Sequence, residues 1–576
     1  NALVYISSGT GEKREYTYRE LHEEVNAFAG ALKELGVSRG DRVVMYMPMM
    51  AEAVFAMLAC VRLGAIHSFV FRGCAVGYLA HRIDDAEPKV VVTADYDMSG
   101  ADAIPCKKFV DAGLDAARFA PGHVIVCRRG SGGSMPMTGG RDLDYADLRE
   151  RYIGCEIPVE WVESSHPIYI LHTSGTTGSP RLVQRDTGGH AVALTTSMRH
   201  VFAAKPGETM FAASGASDIG WVVGHSFIVY GPLLCGMASV VYEGLPARAD
   251  PGVWWRIVEE YGVNTMLTSP TAIRALKKHG FEHMSGHDTS SLRNLFLAGE
   301  PPDKRTSLRV SESLGVAVRD TYWQTETGWP ILRERSPEPE DEPLEAASFG
   351  FPCPGFDVRT VDRESGEEVP AGESGVLAIG PPLPPGCADA VRSNERFIKT
   401  YFSDFPRGLY STFDWARRDE MGRYIVLGRA NDVIKTPGQS FGTREIEEAI
   451  NDHENVEEAA VVEGVASAIT AYVVLDDGDT VENEASRTAV EREVKDAVER
   501  KVGTAARPDE VRFVSDLPRT RSGKMLHRCI RAIAAGREPG DISTIKNPEA
   551  LEAMRSARPP MIPEKAEVIE HKGGKE

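Results

Sequence analysis

The order of apolar patterns between residues 16 and 93 limits the fold of this chain more than any other feature. Residues 16–36 place apolar side chains at helical spacing behind Thr17 and stop at Gly36, which predicts an amphipathic helix. A short apolar run follows at 41–47, a second helical pattern at 51–63, another run at 65–71, a helix near 77–85 and the strand Val-Val-Val-Thr at 90–93. Such alternation implies a mostly parallel sheet covered by helices. The pattern continues through 190–330, with a helix at 189–202, an apolar stretch at 219–243 and buried strands at 265–268 and 294–298. The span 128–140, rich in Gly and Ser, reads as a loop.

After Pro330 the chain turns to shorter alternating segments. The acidic, Pro-rich 336–344 reads as a surface loop, and 371–416 has the punctuation of hairpins. A second unit begins near Gly428-Arg429, with helices at 443–452 and 485–501 and strands near 458–463 and 470–475. The expected fold class is therefore α/β. A large domain, 1–430, combines mostly parallel α/β sheets with a β-rich part; a small, mobile α+β domain follows over 431–556, and a disordered tail over 557–576. A chain of 576 residues, 42% of them hydrophobic, can fill more than one core.

Charge and cysteine usage exclude several functions. A net charge of −19 repels nucleic acid and anionic membranes, so any anionic ligand must be held by local groups. The nine cysteines are scattered and odd in number, and read as reduced, buried thiols. No Cys/His cluster has metal spacing, which argues against a structural zinc. Absence of a signal peptide or a spanning apolar run predicts a cytoplasmic protein with no membrane partner.

The stretch 169–181, Tyr-Ile-Leu-His-Thr-Ser-Gly-Thr-Thr-Gly-Ser-Pro-Arg, reads as a strand that breaks into a phosphate loop. Hydroxyls of Thr173, Ser174 and Thr176 can donate to phosphate oxygens, Thr177 adds another, and Gly175 and Gly178 let the backbone approach closely. Taken alone, this composition fits a flexible connector equally well. A Walker A loop is excluded, because no Gly-Lys-Ser or Gly-Lys-Thr follows.

In its order, however, the stretch resembles the phosphate-binding motif of the AMP-forming acyl-CoA synthetases, Thr-Ser-Gly-Thr-Thr-Gly-x-Pro-Lys-Gly, with Arg181 and Leu182 in place of Lys and Gly. Luciferases and peptide-synthetase adenylation domains share this adenylate-forming superfamily. The resemblance extends from Asn1 to about residue 556, and because the first residues match the family's interior, a missing N-terminal segment is expected. Residues 320–328, Asp-Thr-Tyr-Trp-Gln-Thr-Glu-Thr-Gly, resemble the family's adenylate and metal motif. It implies that Glu326 helps hold Mg²⁺, a cation that prefers hard oxygen ligands. Thr325 would reach the α-phosphate. Gly299, Glu300 and Pro301, with Asp320 and Tyr322, would line the adenine, and Thr321, Trp323 and Gln324 complete the nucleotide site. Residues 410–414 and Gly428-Arg429 resemble the motifs whose Asp and Arg contact the ribose, here Asp414 and Arg429. Residues 517–524, Leu-Pro-Arg-Thr-Arg-Ser-Gly-Lys, match the loop that carries the catalytic lysine, here Lys524.

By resemblance to the short-chain members, Val222, Val223, Ala298 and Trp323 surround the acyl group, and Trp323 closes the pocket against long chains. Ala298 stands where acetate-specific relatives carry Val, which favours propionate over acetate. Residues 183–194 are likewise similar to propionate–CoA ligases. The implied substrates are a short carboxylate, ATP and CoA, with Mg²⁺; monomer and homo-oligomer both stay open. Gly438 would line the CoA tunnel and Asn431 would be the hinge. Departures gather on the CoA side: Gln439-Ser440 for His-Arg, Arg72 in a Gly-Gly pair, Asn431 for the hinge Asp or Lys, no arginine in 99–102, and a shortened 461–469. Two rival readings therefore remain, an acetate-preferring synthetase and a non-catalytic or CoA-independent nucleotide-binding homologue.

Overall fold

Val90–Ala94 is buried at every position, the mark of a parallel strand covered on both faces. It lies inside a sheet ordered Arg181–Asp186, Pro167–Thr173, Ile66–Phe69, Arg42–Tyr46, Val90–Ala94, His123–Cys127 and Asp142–Asp144. All its neighbours pair in parallel except the first two strands. The structure is a computed structural model, and it describes residues 1–99, 102–129, 135–173, 181–213, 218–244, 250–280, 282–299, 304–334, 350–387, 394–436, 439–464, 468–476, 484–520, 525–540, 542 and 545–557.

Helices form where caps and patterns agree. Thr17 and Glu20 close a reciprocal capping box at the start of Tyr18–Glu34, and Gly36 leaves the helix at φ +80°. The helix expected at 189–202 runs over Thr187–His200, because the Asp186 carboxylate caps it by accepting from the Gly189 N–H at 2.7 Å.

A second large sheet is ordered Phe351–Pro352, Leu332–Arg333, Ala317–Tyr322, Asn294–Leu297, Val263–Thr268, Thr209–Ala212, Ala238–Glu243, Leu3–Ser7 and Lys13–Tyr16. Its six central strands are parallel. A smaller antiparallel layer contains Val358–Val361, Ser374–Ile379 and Tyr410–Arg418. The stretch read as hairpins differs here: Ser374–Ile379 and Tyr410–Arg418 do pair, but the helix Asn394–Tyr401 and a short turn at Pro406–Gly408 lie between them.

The chain divides into two compact units, one comprising Asn1–Val426 and a second that begins at Leu427. In the second, Val456–Glu463 and Ile469–Leu475 pair antiparallel, and Glu510–Phe513 adds a parallel strand. Alternation along these strands fills two cores. Val461 and Val473 face Ile446, Ile450, Val494 and Val498, whereas Val462 and Tyr472 join Ile530, Leu551 and Met554. The proposed tail beyond 557 and the loop 336–344 lie outside the described residues. All nine cysteines are free thiols, but Cys155 is exposed, and Cys235 and Cys387 are half-buried, so the expectation of uniform burial fails at these three. Among the described residues, no helix is long and apolar enough to cross a membrane.

Candidate active site

Two neighbouring parallel strands deliver the first group of predicted residues. Asn294–Leu297 runs into Ala298 and Gly299, while Ala317–Tyr322 runs into the 323–328 segment, with Leu297 paired to Asp320. The Thr321 hydroxyl donates to the Leu297 carbonyl at 2.9 Å and braces the two strand ends. Asp320 and Thr321 are buried, and the Asp320 carboxylate accepts from the Thr321 N–H at 2.9 Å. Gly299 takes φ +100°, a turn that an L side chain rarely adopts. Carboxyl ends of parallel strands are where open α/β sheets bind ligands.

Asp414 reaches this edge from the antiparallel layer. Its strand slips register between Val376 and Ala378, and Phe413 sits at φ +60°, an uncommon conformation for an aromatic residue. The bulge presents Asp414 to two donors, the Tyr322 hydroxyl and the Gln324 amide, the latter at 3.1 Å. Gln324 is fixed in turn, donating to the Thr412 carbonyl at 2.7 Å and accepting from the Tyr410 hydroxyl at 3.0 Å. Burial holds the Tyr410 hydroxyl well above its ordinary pKa, so it remains a donor.

Glu326 lies on the turn after these strands and accepts from the Tyr401 hydroxyl at the end of Asn394–Tyr401. Tyr401 stacks on Tyr410 with centroids 5.1 Å apart and planes 7° from parallel. Thr325 precedes it, and the buried Arg185 guanidinium donates to the backbone carbonyls of both residues, that of Glu326 at 2.9 Å. Among the described residues no cluster of three or more metal-ligating side chains exists. Glu326 is a half-buried carboxylate whose Oε1 accepts from Tyr401, and a carboxylate is the hard oxygen ligand that Mg²⁺ prefers.

The four predicted acyl-pocket residues belong to one apolar cluster, Val223 and Ala298 buried, Val222 and Trp323 packed against it. Trp323 meets Phe227 edge-on at 5.3 Å. Val222–Gly224 leads into a π-helical turn, His225–Tyr230, from which the Ser226 hydroxyl donates to the Gly328 carbonyl at 2.8 Å. That bond joins the acyl segment to the 323–328 motif. His225 is pushed down to about 4 by burial and is neutral at physiological pH.

The phosphate-loop strand ends at Thr173, which pairs with Arg181 across an antiparallel hairpin. Ser174, Gly175, Thr176, Thr177 and Gly178 lie outside the described residues, as do Glu300, Pro301, Gly438 and Lys524. Arg429 and Asn431 belong to the second unit. Arg429 ends the strand Tyr424–Arg429, and its carbonyl accepts from the Asp432 N–H at 2.9 Å, a turn that leaves Asn431 exposed. Asp432 is ion-paired with Arg531. On the CoA-side departures, Arg72 pairs with Asp97 at 2.6 Å and Asp218 at 3.3 Å, so its charge is neutralised within the protein.

The sequence matches the family described as AMP-binding enzyme over residues 1–383, and the AMP-binding enzyme C-terminal domain over 445–524. The chain belongs to the AMP-binding enzyme family. Propionate–CoA ligases of Salmonella typhimurium and Escherichia coli are each 49% identical to this AMP-binding enzyme over 562 residues, 96% of this chain and 88% of the relative. An acetyl-coenzyme A synthetase of Thiobacillus denitrificans is 41% identical over 96% of this chain and 85% of its own. The acetoacetyl-CoA synthetase from Streptomyces lividans shares the fold, with a TM-score of 0.84 at 24% identity over 96% of this chain and 83% of that one.

Sequence reasoning did not assign Tyr401, Tyr410 or Arg185. Tyr410 lies in the 410–414 motif and Arg185 in the 183–194 stretch, whose resemblance gave neither a role, and Tyr401 lies in no motif.

Proposed function

We propose that this AMP-binding enzyme is an AMP-forming short-chain acyl-CoA synthetase that prefers propionate. The observation that carries the reading is the convergence of Asp414, Gln324, Tyr322 and Glu326 at one sheet edge, in a chain so like propionate–CoA ligases. Its substrates are ATP, CoA and a short carboxylate. In the first step a carboxylate oxygen attacks the α-phosphorus of ATP, the bond to the bridging oxygen breaks, and pyrophosphate leaves. In the second, the CoA sulfur attacks the acyl carbonyl, and AMP leaves.

Each residue has a role that suits its chemistry. Asp414 accepts from both ribose hydroxyls, since a carboxylate offers two acceptor atoms to a vicinal diol. Thr325 donates to the α-phosphate, and Asp320, Tyr322 and the 299–301 turn line the adenine. Glu326 would hold Mg²⁺, which when bound neutralises charge on the phosphate oxygens. The ammonium of Lys524 stabilises the negative charge that gathers between carboxylate and α-phosphate. Arg429 contacts ribose or phosphate, Asn431 is the hinge, and Gly438 lines the CoA tunnel.

Ala298 supports propionate, because its small side chain in a buried wall leaves room for the extra methyl. One buried methylene is worth about 1 kcal/mol, so the discrimination is a preference with overlap. The test is kcat/KM for acetate, propionate and butyrate in acyl-CoA formation. Propionate should lead, with acetate a measurable second; an acetate optimum would transfer the assignment to an acetate enzyme.

A further inference from the structure

Arg185 is fully buried, yet among the described residues no carboxylate stands within ion-pair distance of its guanidinium. Burying a charge without a counter-ion is costly unless its donors are satisfied. Here they are spent on the main chain. The guanidinium donates to the carbonyls of Thr325, Glu326 and Gly386, while Nε donates to the Tyr169 hydroxyl at 3.2 Å. Arg185 and Tyr169 are register partners on Arg181–Asp186 and Pro167–Thr173, the hairpin that carries the phosphate-loop motif. One side chain therefore ties that hairpin to the turn bearing Thr325 and Glu326, and to the Gly386 segment. Space is kept for it: a Cβ at Gly328 would stand 2.5 Å from Arg185 Cζ.

We propose that Arg185 is a positioning residue for acyl-AMP formation, setting the Thr325–Glu326 turn in fixed relation to the phosphate-loop hairpin. The inference rests on the adenylating activity proposed above. Arg185 touches neither ATP nor carboxylate in this role. It fixes the backbone from which Thr325 meets the α-phosphate and from which Glu326 offers its carboxylate, while Tyr401 holds that carboxylate's orientation. Such alignment matters most when pyrophosphate departs. Thioester formation from a ready-made acyl-adenylate involves neither the departing pyrophosphate nor its metal, so it depends less on the turn.

The test uses the full chain and the variants Arg185→Met, Arg185→Lys and Tyr169→Phe. Four quantities are compared: kcat for propionate-dependent pyrophosphate release, ATP affinity by calorimetry, thioester formation from supplied propionyl-AMP and CoA, and melting temperature. Arg185→Met should lower kcat for pyrophosphate release by on the order of 10–100-fold, the range typical of supporting residues around a site. Arg185→Lys should recover part of that loss, since an ammonium keeps the charge and three donors but not the planar fork. ATP affinity and thioester formation should each stay within about threefold, because only the transition-state alignment is lost.

Unchanged kcat in a folded Arg185→Met would overturn the assignment, as would equal loss in both half-reactions tracking the loss of folded protein. Should Arg185→Met fail to fold, Tyr169→Phe decides: a several-fold fall in pyrophosphate release with an unchanged melting temperature supports the role, and no change refutes it. Pyrophosphate release absent from the unaltered chain would remove the adenylating reading and this inference with it.

Discussion

Replacing Asp414 by Asn alters one charge while preserving shape. Asp414 is 7% exposed and accepts from Tyr322 and Gln324. Tyr322 and Gln324 both donate to Oδ2, and a carboxylate keeps acceptor capacity on two oxygens for a vicinal diol. The Asn side chain has a single oxygen, and its amide nitrogen cannot accept. With Tyr322 and Gln324 already in place, both ribose bonds lose their acceptor. Bonds to a charged group contribute roughly 1.5–3 kcal/mol each, and taking the lower figure for a partly hydrated nucleotide gives a loss of about 3 kcal/mol. The KM for ATP should therefore rise on the order of a hundredfold, at about 1.4 kcal/mol per decade. Pyrophosphate release measured against ATP at saturating propionate reads this directly, and the KM for propionate should scarcely move. A folded Asp414→Asn enzyme with KM for ATP within about threefold of the parent would refute the ribose assignment, since even one lost bond exceeds that change.

Three further outcomes test other parts of the account. Ala298→Val should shift relative kcat/KM from propionate toward acetate by about tenfold, because a buried wall grows by two methyls; an unchanged ratio would remove Ala298 from the pocket. Arg129→Met strands Glu243, whose carboxylate is 1% exposed and is also held by Tyr5 at 3.0 Å and Ser7 at 2.6 Å; unfolding stability should fall by about 3–5 kcal/mol in denaturant titration, and Arg129→Met with Glu243→Gln should recover much of it. Burial raises the Glu334 carboxyl to about 7 from 4.5, so between these values the folded chain holds a proton that the unfolded chain has released, and stability falls as pH rises through that window. Glu334→Gln should therefore be more stable than the parent above pH 7 and equal to it below 4.5, as read by denaturation midpoints; parallel curves at all pH values would contradict the assignment.

Local rules carried the fold far. Thr17 with Glu20 announces its helix by capping chemistry, and the all-apolar Val90–Val92 announces a strand buried on both faces. The 320–328 motif was legible because its residues are contiguous, so one strand end delivers them together. What stayed hidden depends on distant partners. Tyr401 reaches Glu326 from 75 residues away, and Arg185 finds its carbonyls 140 and more residues on. Phe413 at φ +60° has no local sequence cause; pairing across the bulge imposes it. Inside the apolar run 219–243 both the π-helical turn His225–Tyr230 and the strand Ala238–Glu243 are buried at every position, so periodicity could not separate them. The helix Asn394–Tyr401 was missed among turn signals because it is only 8 residues long, too short for its period to stand out.

The most direct test of the central claim is carboxylate-dependent pyrophosphate release by the purified chain with ATP and Mg²⁺, followed with and without CoA. The account predicts release that requires the carboxylate, accelerates when CoA is added, and then matches AMP and acyl-CoA one for one. Release indifferent to CoA would assign the acyl-adenylate to another acceptor, and no release under either condition would contradict the adenylating chemistry itself.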